Sequence, residues 1–240
     1  IGRAIALELA AHGWDIALHH HRSQAEAAET LAELRSQGAT GSAGFGADLA
    51  DEAACNALVP QVRAACGRID AVVNNASVFE HDEVASFTQA AMERHWRANT
   101  APAVLLARGL HAAGGGTVVN LLDQKLWNPN PDHFSYTLSK AALEAATTML
   151  AQALAPSVRV CGVAPGVTLP SGLMDEAEFR RAHNMTPLRR SSEPGDVARA
   201  VRFLLESPAI TGTTLLVDCG QHLLGQPRDV LYLAREALGR

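Results

Sequence analysis

The chain predicts a single doubly wound α/β domain of three layers, αβα, with a parallel sheet in the middle. Short apolar runs alternate with longer stretches of helical period from Trp14 onward, and no Pro/Ser-rich linker or internal repeat interrupts them. The length of 240 residues with 48% apolar content suits one sizeable core. Strands separated by helices lie parallel with right-handed crossovers, which gathers ligands outside the strands' carboxyl ends.

The elements follow in order. Ile1-Gly2-Arg3-Ala4-Ile5-Ala6 opens in the middle of a helical pattern without a starting methionine, so a preceding strand and glycine turn are expected upstream of Ile1, within a domain that otherwise spans residues 1–240. Strands are predicted at Trp14–His19, Gly41–Gly46, Ile69–Asn74, Gly116–Leu122, Ser157–Val163 and Thr213–Val217. Between the first two, Gln24–Ser36 carries Ala, Leu and Glu at helical spacing and stops at Gly38. The Ser135–Leu154 helix bears Ala141, Ala142, Ala145 and Ala146, a nearly smooth surface suited to close packing between subunits. Glu193-Pro194-Gly195-Asp196-Val197 starts a further helix, and the tail from Leu224 to Arg240 reads as a packed amphipathic terminal helix.

Composition excludes several function classes. The formal charge of -5 and pI near 6.1, with no basic stripe, argue against a nucleic-acid binder. No apolar run is long enough to span a bilayer, and the first residues are not a signal peptide, so a cytoplasmic protein acting on a small molecule is expected. Cys55, Cys66, Cys161 and Cys219 lack close pairing and suit reduced thiols. His19, His20 and His21 are consecutive, so on a strand they point to opposite faces and make poor joint metal ligands.

The chemistry concentrates around Tyr136 and Lys140. They are one helical turn apart, which lets an ammonium sit near a phenol and favour its phenolate form, making a proton donor. Asp123 closes the apolar run Gly116–Leu122 thirteen residues earlier. Asp48-Leu49 follows the strand ending at Gly46, Asn74-Asn75-Ala76-Ser77 ends the next, Asn99 lies in the helical region after it, and Pro165-Gly166 follows the Ser157–Val163 strand.

In order and separation these motifs resemble the classical short-chain dehydrogenase/reductase family from Ile1 to about Leu223. That resemblance implies a Rossmann fold in which Gly2 is the last glycine of the Gly-rich turn and Tyr136 is the proton donor. Lys140 also holds the nicotinamide ribose, Asn99 orders a water relay, and Thr168 binds the carboxamide. Asp48, Leu49, Asn75, Ala76, Ser77, Pro165 and Gly166 line the coenzyme site. Cys219 departs from the family's common second glycine.

Two departures narrow the resemblance. Most members carry a serine where this chain has Asp123, and the exit from the first strand reads His19-His20-His21-Arg22-Ser23. Both are similar to pteridine reductases, the group of the bacterial dihydromonapterin and alternative dihydrofolate reductases. The resemblance implies that Phe79 stacks on a flat pterin ring and that Ser77 bonds nearby. The strand exit lacks the acid that would repel a 2′-phosphate, while Arg22 offers a planar fork of donors, Ser23 a hydroxyl and His19 further support, so NADP(H) is the expected coenzyme. An ionised Asp123 would repel the charge that develops in carbonyl reduction, but it can relay a proton to a ring nitrogen. Substrate contacts therefore fall to Ser77, Phe79, Asp123 and Tyr136. Trp127 and Phe134 flank the loop, Leu169–Thr186 with Pro170 and Gly172 resembles a lid, and a homotetramer is expected. Reduction of a ketone of a sugar, steroid or acyl thioester is the competing activity, and a catalytically idle NADP-binding regulator the competing non-enzyme.

Overall fold

The computed structural model describes residues 1–170 and 174–239. Among the described residues six strands, parallel to their hydrogen-bonded neighbours, carry the fold: β1 (Ala17–His20), β2 (Ala43–Gly46), β3 (Ala71–Asn74), β4 (Gly116–Leu121), β5 (Val158–Pro165) and β6 (Thr214–Val217). Each falls where periodicity predicts it. β1 begins at Ala17, later than expected, because Trp14 and Ile16 pack on the core before strand pairing starts. β5 runs two residues further, to Pro165, because Ala164 and Pro165 pair with Leu216 and Val217.

Alternation along β4 shows why helices cover both sheet faces. Val119 and Leu121 join a core with Ile5 and Leu9 of α1 (Gly2–Ala10) and Val197, Val201 and Leu204 of α8 (Pro194–Glu206). On the other face Val118 packs with Ala107 and Leu110 of α5 (Ala101–Ala112), while Asn120 donates to Thr147 Oγ1 of α6 (Phe134–Leu154) at 2.9 Å. A strand covered on both faces reads as a continuous buried run, and Thr117–Leu122 is one.

The strands form two hydrogen-bonded sheets, β1-β2 and β3-β4-β5-β6. The facing edges of β1 and β3 do not pair. They line a cavity of 1380 Å³ together with Gly2, Ile5 and Leu9 of α1. α2 (Gln24–Ser36) flanks β1 and β2, and α3 (Glu52–Cys66) packs on α5. α4 (Gln89–His95) runs into α5 through a π-helical turn, Trp96–Thr100. Two further helices, α7 (Glu176–His183) and α9 (Val230–Ala237), pack on each other at the rim, where Ala182, Val230 and Ala234 are buried together. Among the described residues no helix is long and apolar enough to cross a membrane.

Candidate active site

Asp123 leaves the end of β4 in extended conformation and caps the short turn Gln124–Trp127, its Oδ1 accepting from the Lys125 amide at 2.8 Å. That fixes the other oxygen, Oδ2, which accepts from the Tyr136 hydroxyl at 2.8 Å. Tyr136 and Lys140 project from one face of α6, both buried, as their spacing predicts. Lys140 Nζ donates to the Leu121 carbonyl at 2.7 Å and sits 5.8 Å from the Tyr136 ring centroid.

The electrostatics differ from the expectation drawn from the Tyr-x-x-x-Lys spacing. Burial first, and then the charge and hydrogen bond of Asp123, hold the Tyr136 phenol well above its ordinary value, so Lys140 does not lower it in this arrangement. Burial also lowers the Lys140 ammonium to about 8, and a lysine that yields its proton so readily is a weaker source of positive field. Asp123 is raised by burial against the opposing pull of its hydrogen bonds and of Lys125. The outcome is a protonated phenol facing a carboxyl that itself gains a proton more readily than usual, a pair suited to passing one proton between them.

Asn99 lies in the π-helical turn, buried, with every polar atom engaged: Oδ1 accepts from Val78 N at 2.7 Å and Nδ2 donates to Val78 O and Ser139 Oγ, each at 3.0 Å. It ties the loop after β3 to α6. Phe79, on that loop, is 43% exposed and meets the Tyr136 ring edge-on at 4.7 Å. Sequence reasoning missed the residues that hold it there. His133 stacks under Phe79 at 4.1 Å and its Nδ1 pairs with Glu80 O at 3.1 Å. His133 adopts a left-handed conformation and does not cap α6 with its side chain, and Asp82 supplies the cap from the loop: Oδ1 accepts from Ser135 N at 2.9 Å and Oδ2 from the Ser135 hydroxyl. Ser77 is exposed beside Phe79, its hydroxyl turned to Val78 O at 3.4 Å. Trp127 is exposed at the loop, and Phe134 packs edge-on against Phe87 at 5.8 Å, away from Tyr136.

The residues expected to hold a coenzyme divide into two groups. Gly2, His19, Ser23, Leu49, Asn75 and Ala76 line the cavity between β1 and β3. A Cβ at Gly2 would stand 2.7 Å from Asn75 Nδ2, so a larger residue there would displace the Asn75 side chain. Arg22 and Ser23 are exposed at the start of α2; Ser23 makes no side-chain capping bond, and Arg22 has no ion-pair partner among the described residues. His19 departs from the expected phosphate role: Nε2 is engaged by Ala47 O at 2.9 Å, and burial holds the ring toward its neutral form. Asp48 Oδ1 accepts from Ala50 N at 3.0 Å, and its Oδ2 lies 3.8 Å from His21. Across the site Pro165 ends β5 and Gly166 approaches Asp218 so closely that a Cβ would meet its Cα at 3.0 Å. Thr168 Oγ1 donates to Gly166 O at 2.9 Å and shares a 2.8 Å contact with Ser192 Oγ. Cys219 takes the left-handed conformation a glycine would favour. Within the segment expected to form a lid, residues 171–173, Gly172 among them, lie outside the described residues; α7 is capped by Asp175 and bound through Glu178 to Arg235 of α9 at 2.9 Å.

Parallel strands with helices on both faces and Tyr136, Lys140 and Asn99 gathered beside them define an α/β domain of Rossmann type. A family model described as enoyl-(acyl carrier protein) reductase matches residues 1–222. The chain belongs to the short-chain dehydrogenase/reductase family of oxidoreductases. Among solved structures it resembles FolM alternative dihydrofolate reductase 1 from Brucella suis in complex with NADP, at 39% identity and a TM-score of 0.87, covering 95% of this chain and 92% of that one. The Brucella canis FolM complexed with NADP is similar at 39% identity and a TM-score of 0.85, with 93% and 90% covered. Among curated proteins, carbonyl reductase family member 4 of Danio rerio is 32% identical, with 93% of this chain and 94% of the relative covered.

Proposed function

We propose that this oxidoreductase uses NADP(H) to reduce a C=N bond of a pterin or dihydropterin. The observation that carries the reading is the 2.8 Å bond from Tyr136 to Asp123 beneath the exposed Phe79 ring: a shared proton and a flat aromatic wall, where a ketone reductase would need only a neutral donor. NADP bound to the Brucella FolM structures supports the coenzyme.

The residues present fit the coenzyme. An exposed guanidinium at Arg22 and a hydroxyl at Ser23, neither with a side-chain partner among the described residues, stand beside the first-turn amides of α2 and suit a 2′-phosphate, and the exit from β1 carries no carboxylate of its own. Gly2, Leu49, Asn75, Ala76, Pro165, Gly166 and Thr168 would line the dinucleotide, and Lys140 its ribose. NADPH supplies the hydride when bound. Tyr136 holds the proton at its hydroxyl and delivers it to the ring nitrogen as the adjacent carbon is reduced; Asp123 holds the tyrosine in line and returns a proton to it. Asn99, its side chain committed to Val78 and Ser139, keeps the Phe79 loop and α6 in register. The enzyme is read as a cytoplasmic homotetramer assembled through faces such as that of α6, where Leu138 and Met149 are exposed.

The similarity to a carbonyl reductase supports ketone reduction as the second reading. NADPH oxidation measured with dihydrobiopterin, dihydrofolate and a set of diketones separates the two. Pterin turnover that disappears in Asp123→Ser, with diketone reduction kept or raised, supports the proposal; diketone turnover alone, or pterin kinetics unaltered by Asp123→Ser, overturns it. An inactive full-length protein that still binds NADP would point to a regulator.

A further inference from the structure

The chain has two lysines, and both are buried at the reaction centre. Lys140 has its family role. Lys125, 4% exposed, has none: its Nζ donates to the Asp132 carbonyl and pairs with Asp229 Oδ2 at 3.5 Å. Asp229 belongs to the tail, beyond the 1–222 stretch that the family model matches.

The tail is fastened to the active-site loop by more than this pair. Asp132, 1% exposed, accepts three bonds from the Arg228 guanidinium between 2.8 and 3.1 Å and a fourth from the Asp229 amide at 2.7 Å. Arg228 also lies 4.5 Å from the centre of the Tyr232 ring, which meets His81 at 5.8 Å. A planar fork closed on a buried carboxylate is a geometrically demanding contact, so the backbone at residues 228–229 is held firmly against the turn that carries Asp123.

We propose that the carboxyl-terminal tail is part of the reaction centre: Asp229, through its ion pair with buried Lys125, is a positioning residue that sets the proton affinity of the Asp123–Tyr136 pair. This rests on the reading of that pair as the acid relay. The charged and titratable groups around it are few. Tyr136 and Lys140 face Asp123 from α6, Lys125 from the turn and Asp229 from the tail; Asp132, His133, Arg228, Tyr232 and His81 surround the Lys125–Asp229 pair. Asp229 acts on Asp123 and Tyr136 to favour the protonated forms, and Lys125 acts on Asp123 in the opposite sense. Two opposed charges held in a low-dielectric pocket thus act as a balance, and removing either one tilts it.

The test reads Asp123 directly. Infrared difference spectra of the full chain follow the carboxylic acid carbonyl band, assigned by its loss in Asp123→Asn, as a function of pH. Asp229→Asn keeps a side-chain oxygen to cap α9 at Leu231 N, now 3.1 Å from Asp229 Oδ1, so the fold is retained. It should move the midpoint down by about one pH unit, and Lys125→Met should move it up by about as much. Asp229→Glu should restore the wild-type midpoint. The acid limb of kcat/KM with any turned-over substrate should follow the same shifts, with KM little altered.

Shifts of opposite sign support the proposal, because a tail that only packs would not distinguish the sign of the removed charge. Coincident midpoints, or two shifts in one direction, overturn it. The infrared titration needs no substrate, so opposed shifts in an enzyme idle toward pterins would sink the pterin reading and leave this one standing. Pterin turnover with unmoved midpoints would do the reverse.

Discussion

The end of β4 and the end of β1 lie on the same side of the fold and are built in opposite ways. At β4, Asp123, Tyr136 and Lys140 are each committed to a protein partner, with bonds of 2.7 to 2.8 Å. At β1, Arg22 and Ser23 stand exposed, without an ion pair or a capping bond among the described residues. Groups that must act on a developing charge are set in place beforehand, while groups that only grip a charged ligand can stay hydrated until it arrives.

Mutations at the two ends can break this contrast. Tyr136→Phe removes the donor and should cut kcat by about 10²–10⁴-fold while leaving coenzyme binding near wild type, as read by steady-state kinetics and coenzyme titration. A loss carried wholly by KM would place the rigid end in binding instead. Arg22→Ala at the open end should weaken NADPH by roughly tenfold to a hundredfold, leave NADH unchanged and spare kcat. Equal losses for both coenzymes would remove the 2′-phosphate from the account.

Lys140 sharpens the comparison through pH. Its folded value, about 8, lies below the ordinary 10.5, so between these values the unfolded chain holds more protons than the native one and stability rises with pH across that window. Thermal melts of Lys140→Met should lack this rise relative to wild type. Asp82→Ala should have the smallest effect, about 1 kcal/mol of stability from the lost cap on α6, seen as a lower Tm and a modest fall in kcat as the Phe79 loop loosens.

Much of the frame was legible because it is local. Gln24–Ser36 is helical over the predicted range, stopped before Gly38 in its left-handed conformation, and all six strands fall at their apolar runs. The Tyr136–Lys140 spacing correctly placed both groups on one face. It did not give the sign of the phenol's shift, because spacing reports neighbourhood whereas proton affinity depends on burial and on Asp123. Asp82 capping a helix 53 residues away, and Asp132 gripping Arg228 at a separation of 96, leave no periodic trace in sequence. Lys125 was within reach: a second lysine in a lysine-poor chain, two residues past Asp123, is a signal that composition alone carries.

The π-helical turn at Trp96–Thr100 makes chain length there a functional quantity. It holds an extra residue relative to α-helical winding, so deleting that residue would return the turn to α-helix with little rotation of α5 while removing the bulge that carries Asn99. Ala103, Leu106, Ala107 and Leu110 would keep their face toward the sheet, and Asn99 would lose its reach to Ser139 and Val78. Shortening this stretch would therefore spare the packing of α5 and cost the tie that Asn99 makes between the loop after β3 and α6.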